Sequence, residues 1–208
     1  MIAPPLGKAA MKIGEVIMLA TNLQPFFMGI VVSVLVGAAL TLPISSAAIC
    51  AAFGLTGLAG GAAVAGCCAQ MIGFAVMSFK ENGWGGLFSQ GIGTSMLQMG
   101  NIIKNPRIWI APIVTSAITG PVATCLFKLQ MNGTAVSSGM GTCGFVGQIG
   151  VYSGWVNDVA AGTKSAITMM DWAGLILISF VLPAVICPLI NWLLKKAGWV
   201  KDGDMKLQ

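Results

Sequence analysis

The residues with chemical potential in this chain are uncharged. Thr41, Ser45, Ser46, Gln70, Gln90, Thr94, Ser95, Gln98, Asn101, Thr142 and Gln148 interrupt otherwise apolar stretches. Amides and hydroxyls donate and accept hydrogen bonds, which suits the hydroxyls of a neutral solute such as a sugar. An ion pathway or proton relay in apolar surroundings calls instead for carboxylates. Here the only acids are Glu15, Glu81, Asp158, Asp171, Asp202 and Asp204, and histidine is absent. The chain thus lacks the commonest general base and metal ligand, and no catalytic residue, metal or cofactor is assigned. Glu15 and Glu81 adjoin apolar segments, each near a lysine (Lys12, Lys80), which suggests ion pairs at an interface. A ligand-binding carboxylate at a cavity mouth is the alternative role. The candidate ligand-binding set is Gln98, Gln148, Thr94, Ser95, Asn101, Thr142, Ser45, Ser46 and Glu15.

One motif points elsewhere by spelling. Gly139-Met-Gly-Thr-Cys-Gly144 matches G-x-G-x-x-G, with Asp158 downstream. A dinucleotide site needs a buried strand before the first glycine and a helix after the turn. LQMNGTAVSS precedes it, without a β-branched run, and Gly147, Gly150 and Gly154 follow, each costing a helix about 1 kcal/mol relative to alanine. The motif therefore reads as a glycine-rich break whose backbone groups and Gln148 face a polar ligand.

The elements that must hold these residues are membrane helices. Residues 16–79 carry no charged side chain, and the mean hydropathy is +0.88. Pro25–Leu40 is a short first span unless residues 13–24 extend it, and TLPISS (41–46) breaks it. Ile44–Phe79 is too long for one crossing, and its GLTGLAGGAAVAG centre implies either a bend or very close helix packing. Lys80–Gly86 reads as an interfacial turn. The uncharged, Gly/Ser/Gln-rich segments 87–101 and 132–150 look re-entrant; they share a G-x-G-T, with a glutamine a few residues on. Ile108–Phe127 and Trp172–Leu194 are the later spans, and NDVAAGTKSAITMMD between them reads as a solvated loop holding Asp158 and Asp171.

Trp172 and Trp192 anchor the last span, and the lysines at 195, 196, 201 and 206 that follow it put the C-terminus in the cytoplasm. The net charge of +5 is explained by that topology, and no nucleic-acid partner is expected. The six cysteines read as small buried apolar residues. The predicted fold is all-α: a polytopic transmembrane helical protein with broken, re-entrant, Gly-rich segments. It forms a single integral membrane domain over 1–208, with a cytoplasmic basic tail at 195–208. A membrane sensor of a small metabolite or lipid, without transport, is the alternative reading from a different class.

Longer stretches carry a resemblance: IAPPLG (2–7), LQPFFMGIVVSVLVGAALTLPISSAAI (23–49), GLAGGAAVAGCCAQMIGFAVMS (57–78), GIGTSMLQMGNIIKNPRIWI (91–110), ITGPVATCLFKLQ (118–130), GMGTCGFVGQIG (139–150) and GWVKDGDMKL (198–207). Together they resemble a second type of bacterial phosphotransferase-system (PTS) enzyme IIC. The resemblance implies a sugar-translocating subunit in the plasma membrane, surrounded by lipid and typically a homodimer, for which the Gly/Ala-rich 57–66 surface is a candidate. A soluble IIB protein, supplied by IIA, would carry the phosphoryl group while this chain presents the sugar. Family members carry further helices ahead of IAPPLG, so the resemblance implies an N-terminally short chain. Other enzyme IIC domains contact sugar with a histidine and a glutamate; with no histidine here, no sugar-binding residue is carried over.

Overall fold

The computed structural model describes residues 24–207, so Glu15 and Lys12 lie outside the described residues. Three helical rods are long and apolar enough to cross a membrane: Gly57–Met77, Pro106–Leu126 and Met169–Lys196. A shorter apolar helix, α1 (Pro25–Thr41), accompanies them. With no strand among the described residues, the chain is an all-α polytopic membrane protein.

The break at Pro43 ends α1, and α2 (Ser46–Ala52) leads back to Gly54 and Gly57, both at positive φ, where the chain turns into α3 (Gly57–Met77). Both sequence options for the second apolar run are thus realised: a bend at 53–56, and a helix through the glycines. α3 is the axis of the molecule, with Gly60 to Met71 buried without interruption. Its small residues let backbones approach closely. A Cβ on Gly66 would strike the Ser33 carbonyl of α1, one on Gly61 the Leu129 carbonyl, and one on Gly73 the Cys187 side chain. The 57–66 surface offered by the sequence for a homodimer is therefore occupied within the protomer. Cys50, Cys67, Cys68 and Cys187 are buried, as read, but Cys125 is exposed and Cys143 half-buried.

Ser33 and Gly37 meet Gly66, and Thr41 meets Gln70, so α1 runs parallel to α3. Along α6 (Ile110–Pro121), which lies within the Pro106–Leu126 rod, Trp109 just before it meets Gln70 and Ser116 meets Gly66. That rod therefore runs antiparallel to α3. Pro121 cannot donate to the Ala117 carbonyl, and the helix continues past it as a wider turn over Val122–Leu126 rather than breaking. A second wide turn, Leu177–Val181, joins α9 (Met169–Ile176) to α10 (Leu182–Lys196) and absorbs Pro183 in the same way.

Two hairpins fill the space between the rods. From the Met77 end, α4 (Phe79–Phe88) enters, the chain turns through Ser89–Gln98, and α5 (Met99–Lys104) leaves. The interfacial turn read at 80–86 is helical instead, kinked at Gly83, whose φ of 57° relieves the chain without a Cβ to strain. From the Gly57 end, which pairs with Met131 through two backbone hydrogen bonds, α7 (Ala135–Ser138) enters and α8 (Val146–Ala160) leaves. A helix thus does follow GMGTCG. Its glycines are tolerated because they are contact points: Gly147 lies against Gly141, Gly150 against Ser137 and Gly154 against Asn132. α3 followed by its hairpin, and the α6 rod followed by its own, run in opposite directions through the layer. That is the inverted arrangement expected where discontinuous segments build a transporter's site.

The tail is ordered by the first hairpin. Glu81 accepts from the backbone N–H groups of Gly203 (3.0 Å) and Met205 (2.9 Å), and its carboxylate lies 4.0 Å from Lys195. The ion pair read beside Lys80 is thus replaced by contacts across the fold. Asn82 donates to the Met205 carbonyl at 2.9 Å and accepts from the Leu207 N–H at 2.8 Å. Lys195 also pairs with Asp202, holding that exposed carboxyl below its ordinary range through a hydrogen bond and its charge. Glu81→Gln retains the shape but replaces one accepting oxygen with an amide NH2, so one of the two backbone hydrogen bonds is lost and the other loses its charge. We expect about 1.5–3 kcal/mol less tail-docking energy, measured as faster carboxypeptidase trimming of the last residues.

Candidate functional site

The two G-x-G-T stretches sit at the two hairpin tips, and the tips touch. Thr142 donates its hydroxyl to the Gly91 carbonyl at 2.6 Å and lies 3.6 Å from the Met71 sulfur. Met71 is six residues from the end of α3, so the tips meet roughly 9 Å along that helix from Met77. The GMGTCG turn needs its glycines. Gly141 (φ 53°) presses on Cys67 and Cys68, Gly139 presses on the Ser46 backbone, and Gly144 (φ 52°) precedes Phe145, itself left-handed at φ 58°. Such backbone in a non-glycine residue is sustained only by its surroundings.

The TLPISS break joins the same place. Ser46 donates to the Gly139 carbonyl at 2.7 Å, tying the break to the second hairpin. Thr41 and Ser95 hydroxyls lie 2.9 Å apart, tying it to the first. Between these three segments lies a recess of about 370 Å³ lined by Leu40, Pro43, Ile44, Ser45, Ser46, Ala47, Thr94, Met96 and Met140. That volume falls in the range of ligand pockets, roughly 300–1,000 Å³.

Beneath the recess is a buried polar network. Gln70, fully buried on α3, accepts at Oε1 from Thr41 (3.1 Å) and from the Trp109 indole (2.8 Å), and its Nε2 donates to Ser116 at 3.5 Å. Because Thr41 spends its proton on Gln70, Ser95 must be the donor to Thr41. Ser116 continues to the Pro112 carbonyl, and Ser33 donates to the Ser116 carbonyl at 2.7 Å. Gln70 is the hub that sequence reasoning left out of the candidate set; its signal was a single amide within the Gly/Ala-rich α3. Trp109, at the start of the same rod, is half-buried and serves the same hub.

The remaining candidates fall in three places. Ser45 caps α2 by accepting from Ala48 N–H, and Thr94 caps the following turn by accepting from Met96 N–H, both at the recess. Gln148 leaves the second tip beside Cys68, 3.3 Å from its amide nitrogen, while its Oε1 is buried without a hydrogen-bond partner. Gln98 and Asn101 stand apart. They form an amide ladder from Gln90 through Gln98 to Asn101, each link 2.8 Å, and donate to the Met205 and Lys206 carbonyls of the tail. Among the described residues no three histidines, cysteines or acids cluster to hold a metal.

Antiparallel apolar rods joined to opposed uncharged hairpins define a polytopic helical membrane protein. A family model, "Phosphotransferase system, EIIC", matches residues 1–207, and the chain belongs to that family. It is accordingly a membrane subunit for sugar transport in a phosphotransferase system, acting on a sugar with IIA and IIB partner proteins. No curated protein and no solved structure matches the chain.

Proposed function

We propose that the chain binds a neutral carbohydrate at the meeting point of the TLPISS break and the two hairpin tips, and exposes it alternately to the two sides of the membrane. The observation that carries this reading is the contact of two opposed, uncharged, glycine-rich tips beside a recess bearing Ser45, Ser46 and Thr94. Hydroxyl and backbone groups there suit a polyol and offer nothing to neutralise an ion. The Oε1 of Gln148, buried without a partner and outside the recess lining, becomes an acceptor for a sugar hydroxyl when the second tip moves. Ser95 and Thr142 fix the tips by their mutual contacts, whereas Gln98 and Asn101 act indirectly, holding the return arm of the first hairpin to the tail.

The contacts support such alternation. Each hairpin is anchored at one end of α3, so movement of one tip relative to the other opens the recess toward one side while the opposite hairpin remains closed. In this reading the lysine-rich C-terminal end faces the cytoplasm, where IIB delivers phosphoryl groups. The test is ligand-dependent thermal stabilisation of the purified full chain with D-glucose, D-galactose and D-mannitol. At least one should raise the melting temperature, and Ser46→Ala with Thr94→Val should weaken its apparent affinity by roughly tenfold, the effect of one to two lost hydrogen bonds. An unaltered response in the double variant removes the proposed site. Stabilisation by a lipid or a non-sugar metabolite alone would favour a membrane sensor.

A further inference from the structure

A cavity rich in polar and charged groups lies elsewhere, at the Gly57 end of α3, opposite the docked tail. Its volume is about 520 Å³, and Lys128, Gln130, Asn132, Trp155, Asp158 and Lys164 line it. The sequence places Asp158 and Asp171 in a solvated loop; in the fold both border this recess. Some of these groups are already engaged in building the wall. Asp171 accepts from Lys164 at 2.6 Å and, with its other oxygen, from Thr168 N–H and hydroxyl, capping α9. Lys164 also lies 5.4 Å over the Trp155 ring. Others retain capacity. Asp158 Oδ2 accepts from Asn132 at 2.7 Å, but its Oδ1 and the Lys128 ammonium have no partner among the described residues. Lys128 is held at φ 46°, a conformation that in non-glycine residues clusters at ligand sites.

Two lysines and two aspartates balance in charge, so the recess as a whole carries no net charge to favour an anion or a cation. What it presents is a set of donors and acceptors, including the Gln130 and Asn132 amides, around a buried Trp155. That combination recognises a hydroxylated neutral ring through acceptor and donor pairs for adjacent hydroxyls, with Trp155, covered by Lys164 and Trp172, as the floor rather than a stacking face. We infer that this recess is a second carbohydrate site, an outer vestibule at the root of the hairpin whose tip is Thr142. The inference rests on the sugar-transport reading above. Asn132 packs on Gly154 at the root, so occupancy there bears on the hairpin that closes the deeper recess.

Isothermal titration of the full chain in detergent with D-glucose, D-galactose and D-mannitol tests this. Two binding phases are expected for the transported sugar. Asp158→Asn should weaken one phase roughly tenfold, the scale of a lost charged hydrogen bond. Gln130→Ala, at an exposed position that leaves folding untouched, should weaken it severalfold. Ser46→Ala with Thr94→Val should affect only the other phase. A single phase in the native chain, unchanged binding in both recess variants, or displacement of the phase by phosphatidylglycerol micelles overturns the vestibule. Loss of the deep phase alone would contradict the hairpin-tip site while the vestibule stands.

Discussion

Gly66→Val is expected to prevent formation of a monodisperse folded protein. At this position α1, α3 and α6 converge: a Cβ on Gly66 strikes the Ser33 carbonyl, a Cβ on Gly37 would strike the Gly66 carbonyl, and the Ser116 hydroxyl lies 3.4 Å from that carbonyl. The obstructing atoms are backbone, so no rotamer change relieves the overlap and the helices must separate. Even Gly66→Ala should cost about 1–3 kcal/mol, the usual penalty of overpacking. Gly100 supplies the control. Nothing lies within 4 Å of a Cβ there, and Gly100→Ala should be neutral or stabilise by up to about 1 kcal/mol. Thermal unfolding in detergent followed by tryptophan fluorescence compares the three; equal behaviour of Gly66→Ala and Gly100→Ala would refute the close crossing.

Gln70→Leu is expected to have the second largest effect, and through chemistry rather than volume. Leucine is close to glutamine in size, so packing is largely kept, but Thr41, Trp109 and Ser116 each lose a partner. A buried group left unpaired costs about 1–3 kcal/mol, and Thr41 and Ser116 retain other contacts, so a total of about 2–4 kcal/mol is expected. Because Thr41 positions Ser95, the first hairpin tip should lose its register, and sugar uptake should fall more than stability does. Gln70→Glu, which restores an acceptor at Oε1, should recover part of the stability. A stable Gln70→Leu protein with native uptake would show that the network is incidental to the site.

Some of this architecture is visible in the residues and some is not, for physical reasons. The break at Pro43, the uncharged glycine-rich segments 87–101 and 132–150, and the tryptophan-bracketed last span follow from local chemistry, because proline, glycine and hydropathy act within a few residues. The repeated G-x-G-T marks both hairpin tips. The helix after GMGTCG was not visible, since the glycine penalty that argues against it is outweighed by contacts of Gly147, Gly150 and Gly154 with residues on other arms. Docking of the tail on Glu81, Asn82, Gln98 and Asn101 was equally hidden, because it joins side chains to backbone groups more than a hundred residues away. The same holds for Asp158, whose loop reads as solvated until Lys128–Asn132 folds against it.

The most direct measurement of the central claim is phosphotransferase-coupled uptake of the stabilising hexose into vesicles containing the full chain, with cognate IIA, IIB and phosphoenolpyruvate present. The native chain should accumulate phosphorylated sugar, and Thr142→Val, which removes the hydroxyl joining the two tips, should reduce the initial rate by roughly tenfold or more while Gly100→Ala leaves it unchanged. Native uptake by a correctly folded Thr142→Val protein, or no phosphorylated sugar from the native chain, would contradict the account.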